Sequence, residues 1–278
     1  MPNYPQKMLA SVLDTVFPKI CLGCGKFTAI GDFDYVCRKC FGKIELKNSL
    51  ECIGCKRQTR LGFTCTFCDK ENEVDPVRGK TPSSAGSSAD HAFQAGRTSN
   101  GVDQLIIAAD LSDILVEKML KAYKYKFIQS MALPLSILVK RRIKKLLSKK
   151  FSLFGDNPLL ISVPLHKRRL NERGFNQAEL LAKSMADTYH VVYNNNVLIR
   201  VANPKHQAEI KKKEERLENV KNNFAVNNRE FIRSKTIILV DDICTTGATL
   251  NECARVLKES GAKRVIGFVI ARGQFARK

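Results

Sequence analysis

A chain of 278 residues with a 44% hydrophobic share is long enough to bury one large core or two ordinary ones, which excludes wholesale disorder. Its 47 Lys and Arg against 27 Asp and Glu give a net charge of +20, an excess that suits polyanionic partners: nucleic acid, an acidic membrane surface or a phosphorylated small molecule. No apolar stretch reaches the length of a membrane span and Met1–Ile20 lacks a small-residue cleavage site, so the expectation is a cytoplasmic protein, with the inner face of the membrane as the outer bound of its location.

Eight of the ten cysteines fall between Cys21 and Cys68 as four Cys-x-x-Cys pairs: Cys21 and Cys24, Cys37 and Cys40, Cys52 and Cys55, Cys65 and Cys68. A two-residue spacer lets both thiolates of a knuckle face one tetrahedral ion, and Gly23 and Gly54 ease the turn. Gaps of 12 and 9 residues inside the two halves suit short hairpins that return the chain to the metal. The simplest expectation is two successive zinc ribbons with two structural Zn2+ ions; a cross-braced pairing has the same signature, and disulfides or an iron–sulfur cluster are the competing chemistries. So short and apolar-poor a module folds poorly without metal. Residues 1–79 are read as an N-terminal helix plus this double ribbon, 80–101 as a Ser/Gly-rich linker, and 102–278 as the second domain.

From Val102 on, apolar runs alternate with helical spacing. Leu105–Ala109 reads as a short strand, Ile114–Tyr123 and Met131–Leu147 as helices, Leu159–Val163 as a strand and Asn176–Thr188 as a helix. Val197–Ile199 is a short strand, Thr236–Val240 the clearest one, leading into a helix that ends near Gly261, and Val265–Ile270 the last. Strand, helix, strand with short connections predicts an α/β fold, a parallel sheet flanked by helices, with the small Cys-rich zinc module at its N-terminus.

The most informative segment is Thr236 to Thr249. Four apolar residues lead to Asp241 and Asp242 at the carboxyl end of the strand, and a hydroxyl-rich turn, Thr245-Thr246-Gly247-Ala248-Thr249, opens the next helix. A phosphate in that turn meets backbone N–H groups, threonine hydroxyls and a helix N-terminus. The carboxylates would repel it and suit a neutral diol with Mg2+ nearby. Phosphate at one end and vicinal hydroxyls at the other describe a ribose 5-phosphate. The run resembles the signature of type I phosphoribosyltransferases. That resemblance implies that Asp241 and Asp242 hold the ribose hydroxyls of phosphoribosyl pyrophosphate with Mg2+, and that the Thr245–Thr249 turn holds its 5-phosphate. No Gly-Lys-Ser/Thr follows, so a Walker loop is excluded.

Val163-Pro164-Leu165-His166-Lys167-Arg168-Arg169-Leu170-Asn171-Glu172-Arg173-Gly174-Phe175-Asn176-Gln177-Ala178 looks like the hallmark of the ComF family of competence proteins. Arg200–Phe224, with Gln207, Arg216, Asn219 and Phe224, looks like its next block, and Phe17-Pro18 and Tyr123-Lys124-Tyr125 fit as well. Asn203-Pro204-Lys205-His206-Gln207 departs from the family's usual Thr-Pro-Pro-Gln. Lys167, Arg168, Arg169 and Arg173 follow a strand end and suit a pyrophosphate-binding loop opposite the Thr245 turn.

Basic clusters at Lys140–Lys150, Lys167–Arg169 and Lys211–Lys213 suit single-stranded DNA, with Phe67 the best stacking residue in a chain without tryptophan. The family resemblance implies a protein handling incoming single-stranded DNA in natural transformation, in company with other competence or DNA-processing proteins. The alternative is an active phosphoribosyltransferase, of the salvage or amidophosphoribosyltransferase type. No residue reads as a catalytic base or a nucleobase pocket.

Overall fold

The computed structural model describes residues 18–29, 31–65, 67–68, 101–148, 154–155, 157–201 and 222–273. Five strands form one parallel sheet: β1 (Gln104–Ile107), β2 (Pro158–Ser162), β3 (Val192–Tyr193), β6 (Thr236–Cys244) and β7 (Arg264–Arg272), in the order β1-β7-β6-β2-β3. The central strand β6 is apolar without alternation because both of its faces are covered: Ile237 through Val240 are buried.

Helices α2 (Ile114–Tyr125), α3 (Ala132–Leu147) and α5 (Gln177–Tyr189) cover one face, packing Val116, Met119, Leu138, Leu181 and Met185 on Ile238, Val240 and Phe268. Asp113 caps α2 by accepting from the amides of Leu115 and Val116, and Asn176 caps α5 through Ala178. Helix α6 (Ala248–Glu259) covers the other face with Leu250, Cys253, Ala254 and Leu257, beside an antiparallel pair β4 (Leu198–Arg200) and β5 (Phe224–Val226). The helix after β2 goes to one face and the helix after β6 to the other. The adjoining carboxyl ends of β2 and β6 therefore form a topological switch point, where open α/β sheets leave a crevice.

The structure departs most from the sequence reading at β6 and at the basic stretch after β2. β6 runs past Val240 through both aspartates, because Asp241, Ile243 and Cys244 keep register with Val269, Ala271 and Arg272. The basic stretch expected as a loop is a seven-residue helix, α4 (Lys167–Arg173), started by His166, whose Nδ1 accepts from the Arg168 amide, and ended by Gly174 at φ 74. It buries no side chain, so it carries no apolar periodicity to read. The short strands β3 and β5 likewise lack a pattern of their own. The expected N-terminal helix, residues 80–100 of the linker, Lys149, Lys150, the Lys211–Lys213 cluster and the block containing Gln207, Arg216 and Asn219 lie outside the described residues.

The cysteine-rich segment lies along the outer edge of β1, through bridges between Leu46 and Ala109 and between Phe63 and Gln104. Its first half joins the core face of α2 and α3: Val36, Phe41 and Ile44 are buried there, α1 (Arg38–Gly42) presents the Phe41 ring to Arg141, and Lys118 donates to the Leu22 carbonyl. Its second half joins the opposite core, where Ile53 packs among the side chains of α6 and β6. Among the described residues no helix is long and apolar enough to cross a membrane.

Candidate functional site

Two clusters of four thiols form, Cys21, Cys24, Cys37 and Cys40, then Cys52, Cys55, Cys65 and Cys68, each with its sulfurs within 4.8 Å of one another. This is the successive pairing; the cross-braced one is not adopted. None of the ten cysteines is in a disulfide. A tetrahedral ion with Zn–S near 2.3 Å demands S···S edges of about 3.8 Å. Cys24 to Cys37 is 3.9 Å and Cys55 to Cys65 is 3.6 Å, so both clusters fit zinc. Amides point at the sulfurs: Gly23 and Cys37 donate to Cys21, and Cys65 donates to Cys52. Burial opposes ionisation of Cys21, but the amides of Cys37, Cys24 and Gly23 outweigh it and hold the thiol down at about 6. The neighbouring Cys37 thiol drives Cys40 up to about 12, because four sulfurs this close ionise together only around a cation.

At the switch point, Asp242 is 5% exposed and its Oδ1 lies 2.7 Å from Lys124 Nζ at the end of α2. The same oxygen accepts from the Ile243 amide, and Asp241 accepts from the Asp242 amide. Burial first, and the Asp242 carboxylate second, push Asp241 up to about 7, against the pull of Lys124. Burial likewise raises the neighbouring Tyr123 hydroxyl, with Asp242 adding to it. A carboxylate pair already holding one ammonium is a donor set that suits a divalent cation or a diol.

The Thr245–Thr249 turn follows directly. Gly247, at φ 84, is the N-cap of α6, whose first turn carries no acidic side chain to offset the positive helix end. Thr246 Oγ1 accepts from the Ala248 amide, and Thr245 is exposed. Opposite, Asn176 fixes the end of β2 by donating to the Val163 carbonyl.

Between α2 and α4 lies a cavity of about 260 Å³ lined by Lys124, Tyr125, Phe127, Arg169, Glu172 and Arg173. Gln177, buried at the start of α5, ties its walls together: it accepts from Arg173 and donates to the Tyr123 carbonyl, while Tyr123 OH donates to the Gln177 carbonyl. Tyr125 and Phe127 are 69% and 46% exposed, Phe127 in the left-handed backbone region at φ 55. Of the four basic residues expected to face pyrophosphate, Arg169 and Arg173 reach this cavity, Arg168 pairs with Glu172 on the surface, and Lys167 opens the helix. Phe67, expected as the stacking residue, has Arg57 over its ring. Lys124 and Phe127 carry no signal of their own in the sequence; for Lys124 there is only the motif Tyr123-Lys124-Tyr125.

The fold and this site define a phosphoribosyltransferase-type domain: the chain belongs to the family of the phosphoribosyl transferase domain, whose model matches residues 138–277. The proteins it is similar to include competence proteins and a DNA utilization protein. It is 26% identical over 245 residues to "Competence protein F" of Haemophilus influenzae, spanning 86% of this chain and 98% of that one. It is 42% identical over 120 residues to "Competence protein ComFC" of Bacillus subtilis, 41% of this chain and 44% of that one. It is 32% identical over 113 residues to "DNA utilization protein YhgH" of Escherichia coli O157:H7, 41% of this chain and 48% of that one. The latter two matches thus span less than half of each relative. The resemblance to the ComF family extends over both the cysteine knuckles and the sheet domain.

Proposed function

We propose that the chain binds phosphoribosyl pyrophosphate with Mg2+ at the switch point and handles incoming single-stranded DNA in natural transformation. The observation that carries the first half is the Asp241–Asp242 pair leading directly into a helix N-terminus at Thr245–Thr249 with no acidic side chain in its first turn, an arrangement that would set diol and phosphate recognition side by side. Asp241 and Asp242 hold the ribose hydroxyls, the metal ion offsets their charge and that of the pyrophosphate, and the turn holds the 5-phosphate. Arg169 and Arg173, which line the cavity beside Lys124, would receive the pyrophosphate.

The second half is supported by the +20 charge, the relatives' printed names, and the cavity that sets exposed Tyr125 and Phe127 beside three cations. Backbone phosphates and base faces are recognised by such combinations. If about four phosphates are engaged, log affinity for an oligonucleotide falls against log salt with a slope near −3. Arg169→Glu together with Arg173→Glu should flatten that slope and lower affinity; binding that is insensitive to both salt and these changes would refute the reading. A deletion strain should still take up DNA yet yield few transformants, and normal transformation would favour the alternative of a phosphoribosyl transfer enzyme. Pyrophosphate release with nucleobase or amide acceptors separates the two.

A further inference from the structure

The second cysteine knuckle and the threonine turn touch without slack at two positions, the first residue of the turn and its central glycine. At Gly247 a Cβ would lie 2.8 Å from Ile53 Cγ1, and Ile53 stands between Cys52 and Cys55 in the knuckle's own turn. At Thr245 the contact runs through Gly273, the residue after β7. Its amide donates to the Cys244 carbonyl, its Cα faces Thr245 so closely that a Cβ would sit 3.0 Å from Cγ2, and its carbonyl accepts from Lys56 of the same knuckle. Arg272, paired in register with Cys244, is buried and donates to the carbonyls of both Cys52 and Ile53. Among the described residues the first knuckle makes no contact with the turn. It rests on α2, where Gly23 meets Leu115 and Lys118 holds Leu22.

We propose that the second four-cysteine site seats the sugar-phosphate turn, so that metal at Cys52, Cys55, Cys65 and Cys68 and a phosphate ester at Thr245–Thr249 bind with positive coupling, while the first site is independent. The proposal rests on the sugar-phosphate reading above. The physical basis is conformational. A knuckle of this size is ordered by its metal. With the knuckle in place, Ile53 backs the turn at Gly247 and Lys56, through Gly273, backs it at Thr245, so its amides are aimed before the ligand arrives. Without it, Gly247 is freed into the wide φ range open to glycine, and the ligand must order the turn itself. Coupling is reciprocal, so sugar phosphate strengthens metal binding by the same factor by which metal strengthens sugar-phosphate binding.

The test uses the full zinc-loaded chain at equilibrium with a competing chelator, with and without ribose 5-phosphate, followed by thiol alkylation and mass spectrometry to read each cysteine. Ribose 5-phosphate should protect Cys52, Cys55, Cys65 and Cys68 on the order of tenfold and leave Cys21, Cys24, Cys37 and Cys40 unchanged. Ile53→Ala should abolish the protection while both zinc ions still bind. Ile53→Val retains Cγ1, and it should keep most of the effect if the alanine variant folds poorly. Calorimetry on the same samples reads ribose 5-phosphate binding. Binding with no change in alkylation, or with equal protection of both clusters, overturns the coupling alone. Failure of ribose 5-phosphate to bind overturns the site reading and the coupling together.

Discussion

Arg272→Met tests whether the cysteine module and the sheet domain fold as one unit. The side chain is 6% exposed; Nη1 donates to the Cys52 carbonyl at 2.8 Å and faces Glu51 at 3.4 Å, and Nη2 donates to the Ile53 carbonyl. Methionine keeps the stem volume and removes every donor. The Cys52 carbonyl retains the Lys56 amide, and Glu51 retains Lys47 at 2.8 Å, so neither is left alone. The Ile53 carbonyl loses its guanidinium partner inside a packed interface, a cost of about 1–3 kcal/mol. With the weakened Glu51 pair the total should be about 3 kcal/mol, or roughly 6–12 °C in Tm at about 2–4 °C per kcal/mol. Arg272→Lys keeps the charge and one direction of donation and should lose about half as much. Thermal and denaturant unfolding of the zinc-loaded chain read the effect. A loss below about 1 kcal/mol in Arg272→Met would show that this contact does not hold the two parts together.

Metal analysis should find two zinc ions per chain; fewer than one, or an iron–sulfur absorption band, would contradict the sulfur geometry. Removing Cys52 should unfold its knuckle, since site formation contributes on the order of 10 kcal/mol. Asp241, held up at about 7 in the fold, releases its proton near about 4 in an unfolded chain. The folded state therefore binds more protons between those values, so this contribution to stability is full at low pH and is lost as pH rises through about 7. Asp241→Asn should gain stability relative to the parent over that interval, and parallel pH profiles would refute the assigned burial. Gly247→Ala forces a left-handed alanine at φ 84 against Ile53 and should weaken sugar-phosphate binding by about tenfold or more; an unchanged affinity would mean that the turn does not bind the ligand.

The sheet was legible where one segment carries its own pattern. Thr236 to Val240 reads as a buried strand without any partner, and the aspartates and threonines that follow are contiguous, so the core of the site lies in one stretch of chain. Cys-x-x-Cys spacing is equally local, and it gave the two clusters while leaving their pairing open. What was not legible depends on contacts between distant segments. Nothing near Lys124 announces Asp242, nothing near Ile53 announces Gly247, and Gln177 reaches Tyr123 only after α2 and α5 pack together. Helix α4 escapes the sequence pattern because it buries no side chain and five of its seven residues are charged, so only its His166 and Gly174 caps define it.

Isothermal titration of the zinc-loaded chain with phosphoribosyl pyrophosphate and Mg2+ tests the central claim most directly, with Asp242→Asn alongside. The account predicts saturation at one ligand per chain in the parent and at least tenfold weaker binding in the variant, about 1.4 kcal/mol for one lost charged partner. No binding by the folded parent, or equal affinity in Asp241→Asn, Asp242→Asn and parent, would contradict it.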